Sequence, residues 1–165
     1  MKTLIAVTLS VGMVAFAGTA EAQLQLVNPV VVDSTNRVLG PIVGGDSSYP
    51  LVAFRVNNII FALRILPNSY EGRAAPLVFT STDCSGAPYM VNSYTSTFAP
   101  SAVVPPGHSV FVADPAGSPQ TIDARSSLDS GGCYATSGTV TGFPAIFMIQ
   151  LDSEFVPPIT VQHAP

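Results

Sequence analysis

The clearest alternation of hydrophobic and polar positions lies in "PLVAFRVNNIIFALRILP", residues 50–67. Two apolar runs flank Asn57-Asn58, and asparagine tolerates the positive φ that a two-residue hairpin turn requires. The register set by that turn places Val56 opposite Ile59, Phe54 opposite Phe61 and Val52 opposite Leu63, a wholly apolar face. The other face sets Leu51 against Arg64, Ala53 against Ala62 and Arg55 against Ile60. A one-residue slip would mix the two sets, so the pattern itself specifies the pairing. Arg55 and Arg64 on the second face can be accommodated in two ways. An exposed face would be apolar enough to dock a partner. The favoured expectation is cover by a second sheet, with both arginines meeting carboxylates at its margin.

"VVVDSTNRVLGPIVG", residues 30–44, predicts a second hairpin turning at Ser34-Thr35-Asn36, with Asn36 in the left-handed position and Asp33 and Arg37 flanking it with opposite charges. Further short runs predict strands over 77–82, 89–94, 109–113, 120–124, 133–136 and 144–151. The segments 67–76 and 98–107 read as long surface loops, and "VQHAP" at 161–165 as a frayed end. Fifteen prolines and thirteen glycines leave no room for a long helix. About nine or ten strands in so short a chain predict an all-β domain, either a small antiparallel β-sandwich or a closed β-barrel. A membrane-spanning barrel fits poorly, since no tryptophan is present for an aromatic girdle.

The beginning of the chain follows another pattern. Lys2 precedes an uncharged apolar run, Leu4 to Gly18, and then Ala20-Glu21-Ala22, the layout of a secretory signal peptide. The run is about 15 residues, short of the roughly 20 that cross a bilayer. Residues 1–22 are therefore expected to be removed, leaving one all-β domain over 23–165 with an ordered core over about 27–160. The expected destination is the periplasm, the cell surface or the medium.

Composition narrows the function. Removing the leader removes Lys2, the only lysine, and leaves five arginines against nine acids. A net charge of −4 offers no electrostatic footprint for nucleic acid. With 47% hydrophobic residues the chain has the apolar surface that folding requires.

Candidate chemistry is sparse. In an exported chain two well-separated cysteines, Cys84 and Cys133, pair most simply as one disulfide. A catalytic thiol would need a nearby base, and the only histidines are His108 and His163. A zinc site would need C-x-x-C or H-x-x-x-H spacing, which is absent. A small hydrolase built around His108 would draw on Ser109 or Ser127 and on Asp114 or Asp123, but no G-x-S-x-G exposes a serine. Asp114, Asp123 and Asp129, with Ser118 and Ser130, are weak calcium candidates whose spacing fits no EF-hand. Glu71, Asp152 and Glu154 are weaker still as glycosidase acids. No metal and no cofactor is expected. Tyr49, Tyr70, Tyr89, Tyr94 and Tyr134 on a rigid scaffold suit recognition better than chemistry.

"VVDSTNRVLGPIVG", "LVAFRVNNIIFALRI" and "FTSTDCSGAPYMV", in that order, resemble a family of small exported bacterial β-domains, some found beside collagen-like or tail-fibre-like segments. The family pattern is a D-x-x-G-[KR]-x-[VI]-G hairpin, a strand pair and an F-x-[ST]-x-D-C-x-G element. Here Asn36 stands in the glycine position, and the likeness spans roughly residues 30–92. The resemblance implies a fold and no activity. The expectation is an exported, non-catalytic binding or structural module whose partner is an unknown protein or surface component.

Overall fold

Asn57 and Asn58 both adopt the left-handed conformation, with φ of 49° and 64°, and turn the chain between β3 (Pro50–Val56) and β4 (Ile59–Leu66). In the computed structural model, which describes residues 29–46, 48–73, 76–91 and 98–163, all six pairs expected from the sequence are present, from Val56↔Ile59 to Leu51↔Arg64. Val52, Phe54, Phe61 and Leu63 are buried on one side, as the alternation requires. The turn between β1 (Pro29–Val32) and β2 (Val38–Gly45) is equally local. Asn36 takes φ 65°, and the Asp33 N–H donates to the Arg37 carbonyl at 3.0 Å.

Two antiparallel sheets follow. The first runs β12-β1-β2-β3-β4-β5, with β5 at Ser69–Glu71 and β12 at Thr160–His163. The second runs β10-β6-β7-β11-β9-β8. Its members are β6 (Leu77–Phe79), β7 (Tyr89–Met90), β8 (Ser101–Val104), β9 (Ser109–Ala113), β10 (Gln120–Asp129) and β11 (Gly132–Gln150). A single turn of helix, α1 (Leu151–Glu154), joins β11 to the stretch before β12. The chain is thus all-β, with one disulfide between Cys84 and Cys133.

Val31, Val52, Phe54, Phe61 and Leu63 of the first sheet pack against Val103, Val110, Val112 and Met148 of the second. The second sheet also encloses a core of its own. Leu77, Phe79 and Met90 cover Ala102, Val104, Ala113 and Ala145. β8 therefore faces apolar neighbours on both sides. The sheets also meet at a corner, where the Ala99 N–H donates to the Ile60 carbonyl at 3.1 Å and the Ser101 hydroxyl donates to the Ala62 carbonyl at 3.0 Å.

Several expectations need correction. Residues 98–107 are not a surface loop, because every residue of β8 within them is buried. Residues 67–76 contain β5, which pairs with β4 and sends Tyr70 into the core. The runs at 133–136 and 144–151 belong to one 19-residue strand that ends at Gln150, with Leu151 opening α1. β10 continues to Asp129, β6 stops at Phe79, and part of the expected 89–94 strand, including Tyr94, lies outside the described residues. Residues 161–163 are not frayed but complete β12. The outer face of the β3–β4 hairpin is not covered by a second sheet. Ile60 is 50% exposed, Arg55 and Arg64 are both exposed, and the second sheet packs on the opposite face.

Candidate functional site

Polar side chains from distant parts of the chain converge at one end of the sandwich, where α1 and the segment after it lie against two turns. Asp33 is the anchor and is almost fully buried. Its Oδ1 accepts from the Thr35 N–H (2.8 Å), the Thr35 hydroxyl (2.7 Å) and the Arg37 N–H (2.9 Å), while Oδ2 accepts from the Val156 N–H (3.0 Å). Burial pushes this carboxyl up, but the hydrogen bonds from Thr35, Val156 and Arg37 outweigh it and hold it at about 2. Asp33 and Arg37 do not pair through their side chains as flanking charges. The Arg37 guanidinium instead reaches the Glu154 carboxylate at 2.7 Å and lies over the Phe155 ring.

His108 sits in the β8–β9 turn with φ 49°, and its Nδ1 is 2.7 Å from Asp152 Oδ1 in α1. Backbone bonds run beside that contact, from the Leu151 N–H to the His108 carbonyl and from the Asp152 N–H to the Gly107 carbonyl. The Tyr70 ring meets the imidazole edge-on at 5.2 Å. Tyr70 is buried, its hydroxyl has no protein hydrogen-bond partner, and burial followed by the charges of Asp152 and Asp33 pushes it up to about 12. Tyr70 also lines a cleft of about 300 Å³ between β5, β8 and the β10–β11 turn, together with Glu71 and Asp129.

The set that the alternative hydrolase would need does not assemble. The acid beside His108 is Asp152, neither Asp114 nor Asp123. The Ser109 hydroxyl donates to the Pro106 carbonyl, and Ser127 is buried in β10. Asp114 accepts from the Ala116 N–H at 2.9 Å, Asp123 faces Arg125 at 3.5 Å, and Asp129 accepts from the Gly131 N–H at 2.7 Å. These three carboxylates serve separate turns and strands. Among the described residues no three His, Cys, Asp or Glu side chains gather as metal ligands. Glu71, Asp152 and Glu154 are likewise taken up singly, by Arg64, His108 and Arg37.

Cys84 and Cys133 are joined, which connects the β6–β7 loop to the start of β11. Ser126 reinforces the junction, its hydroxyl accepting from the Cys84 N–H at 2.9 Å and donating to the Ser81 carbonyl at 2.8 Å. Of the tyrosines, Tyr49 and Tyr134 are exposed and Tyr89 is half-buried. Phe147, which sequence reasoning did not single out, is 55% exposed and packs edge-on against Phe111.

Chemically, the convergent cluster ties two turns to α1. The structure therefore defines an all-β protein of two antiparallel sheets, clamped by one disulfide and closed at one end by the hydrogen bonds of buried Asp33 and by the more exposed Arg37–Glu154 and His108–Asp152 contacts. No family model matches the chain, and neither does any curated protein or any solved structure. Among the described residues no helix is long and apolar enough to cross a membrane.

The Asp33 contacts make stability depend on pH in a defined direction. A carboxyl held at about 2 against an ordinary 3.8 contributes stability that is complete above the ordinary value and lost as the pH falls through about 2. The melting temperature should therefore drop across that interval. Asp33→Asn should show a shallower drop on a lower baseline, because an amide NH2 would confront one of the backbone N–H donors. Parallel pH profiles for the two proteins would contradict this role.

Proposed function

We propose that the chain is an exported, non-catalytic binding or structural module whose partner is a protein or surface component. The observation that carries this reading is the employment of the convergent polar groups. His108, Asp152, Asp33, Arg37 and Glu154 join turns to one another, and the Ser109 hydroxyl is engaged by a backbone carbonyl. What the scaffold offers outward is contact area, namely Tyr134, Phe147 and Ile60 on paired strands and Tyr49 in the turn between β2 and β3. Rigid aromatic side chains bind at low entropic cost.

The apolar N-terminal run supports export, and a disulfide is compatible with an oxidising compartment. The motif resemblance over residues 30–92 belongs to the same reading, with membership of the small exported β-domain family as its proposed origin. The alternative, a small hydrolase around His108 and Asp114, would now need Asp152 in place of Asp114 as the acid beside the imidazole.

The purified protein is expected to show no turnover on ester, peptide, glycoside or phosphoester panels and to capture a surface component in a pull-down. An activity abolished by His108→Ala, with the circular dichroism spectrum unchanged, would replace this reading with the hydrolase.

A further inference from the structure

We propose that β12 pairs edge to edge with β12 of a second copy, joining the two first sheets into one antiparallel sheet across a twofold axis. The pairing does not depend on the partner-binding reading above.

β12 is the outer strand of the first sheet, hydrogen-bonded to β1 on one side, with no strand beyond it among the described residues. Thr160, Val161 and Gln162 are all exposed. The opposite end of that sheet is covered. A Cβ at Gly72, just after β5, would lie 2.4 Å from the Ser101 carbonyl oxygen, so β5 runs directly against β8. β8 is itself last in the order of the second sheet, yet all four of its residues are buried. Among the described residues the fold thus shields both of these strands and leaves β12 uncovered.

Exposed edges are normally kept apart by charge, by proline or by a bulge. β12 has none of these. Thr160, Val161, Gln162 and His163 include no lysine, arginine or carboxylate, and the four pairs with β1 run without a register shift. Val161 adds a packing argument. It stands opposite Val31, which is fully buried, but is itself 44% exposed. An inner-face valine at this position lacks the neighbour that one more strand would supply.

The chemistry of the edge selects its occupant. A charged strand would find no counter-charge on β12, so the complement is an uncharged, β-branched strand. β12 is such a strand. Antiparallel pairing of two identical strands closes on itself, presenting the same patch from both copies and placing Val161 within about one residue of the axis. Four residues a side bury far less than the roughly 1,200–2,000 Å² of a stable interface. The dimer is therefore weak and concentration-dependent.

Sedimentation velocity of the purified protein over rising concentration tests the pairing, together with Val161→Glu and Val161→Lys. The wild type should pass from monomer towards dimer. Each charged variant should remain monomeric with an unchanged circular dichroism spectrum, because like charges would meet at the axis. An equimolar mixture of the two variants should recover the dimer. Gln162→Glu and Gln162→Lys, on the other face of the same strand, provide the same cross should either Val161 variant fold poorly. A wild type that stays monomeric throughout, a dimer that survives both charges, or a mixture that stays monomeric overturns the proposal.

Discussion

Phe54→Ala is expected to lower the unfolding free energy by about 3–5 kcal/mol, the range for emptying a buried aromatic site. Phe54 is almost fully buried and stacks on Phe61, its cross-strand partner, with ring centroids 5.5 Å apart. It also meets Phe155 edge-on at 6.3 Å. Alanine would remove one side of both contacts in the core between the sheets, where close packing limits collapse. Arg55→Ala provides the comparison one residue away. Arg55 points to the exposed outer face, where its guanidinium donates to Asn58 Oδ1 at 3.0 Å. Its loss should cost about 0.5 kcal/mol or less, as surface changes usually do. Urea unfolding of the two variants measures the difference. Equal costs would mean that the faces of the hairpin are assigned the wrong way round.

That hairpin was legible in the sequence because two local signals agree. The asparagine pair sets a turn, and the period-2 alternation on either side admits one register only. Where one signal is missing, the sequence misleads. β8 is buried on both faces, so its "SAVV" shows no alternation, and the prolines on each side of it imitate a loop. β11 looks like two strands because Gly138 and Gly142 fall between its two apolar runs. Gly138 absorbs a register shift at φ 142°, where it pairs with Ala124. Across Pro144 the strand stays paired on both sides, its carbonyl accepting from the Asp114 N–H and the Ala145 N–H donating to the Pro88 carbonyl. β12 gains order from β1, more than a hundred positions earlier, and no local pattern encodes that partner.

The candidate site follows the same rule. Asp33 and Thr35 form a local turn that the Asp-x-Thr spacing signals. The Val156 N–H that completes the carboxylate shell comes from 123 positions away and cannot be read locally. His108 stood out as the histidine beside a strand, but Asp152 is its partner because α1 folds against the β8–β9 turn. Tyr70 looked like a loop residue suited to recognition, and the pairing of β5 with β4 placed it in the core. Long-range pairing thus decides which of the few polar residues meet, and it commits most of them to holding turns together.

Loss of the Cys84–Cys133 bridge is expected to cost about 4 kcal/mol, from the chain entropy of a closed loop of this length. The cysteines lie 49 positions apart, so the unbridged unfolded chain recovers a large loop. The folded side of the balance changes less. The β10–β11 pairing continues to Asp129↔Gly132 at the turn, and β10 also holds β6 through Ser126↔Phe79 to Leu128↔Leu77. Ser126 adds its own tie between Cys84 and Ser81. The double variant Cys84→Ala/Cys133→Ala should therefore fold to the same sheets, with a lower unfolding midpoint and faster hydrogen exchange in the β6–β7 loop and at the start of β11. Peptide mapping of the unreduced wild type should recover Cys84 and Cys133 in one linked pair. Two freely alkylated thiols in the native protein would refute the bridge. A double variant as stable as the wild type would instead show that the strand pairings around Ser126 already impose the constraint assigned to the disulfide.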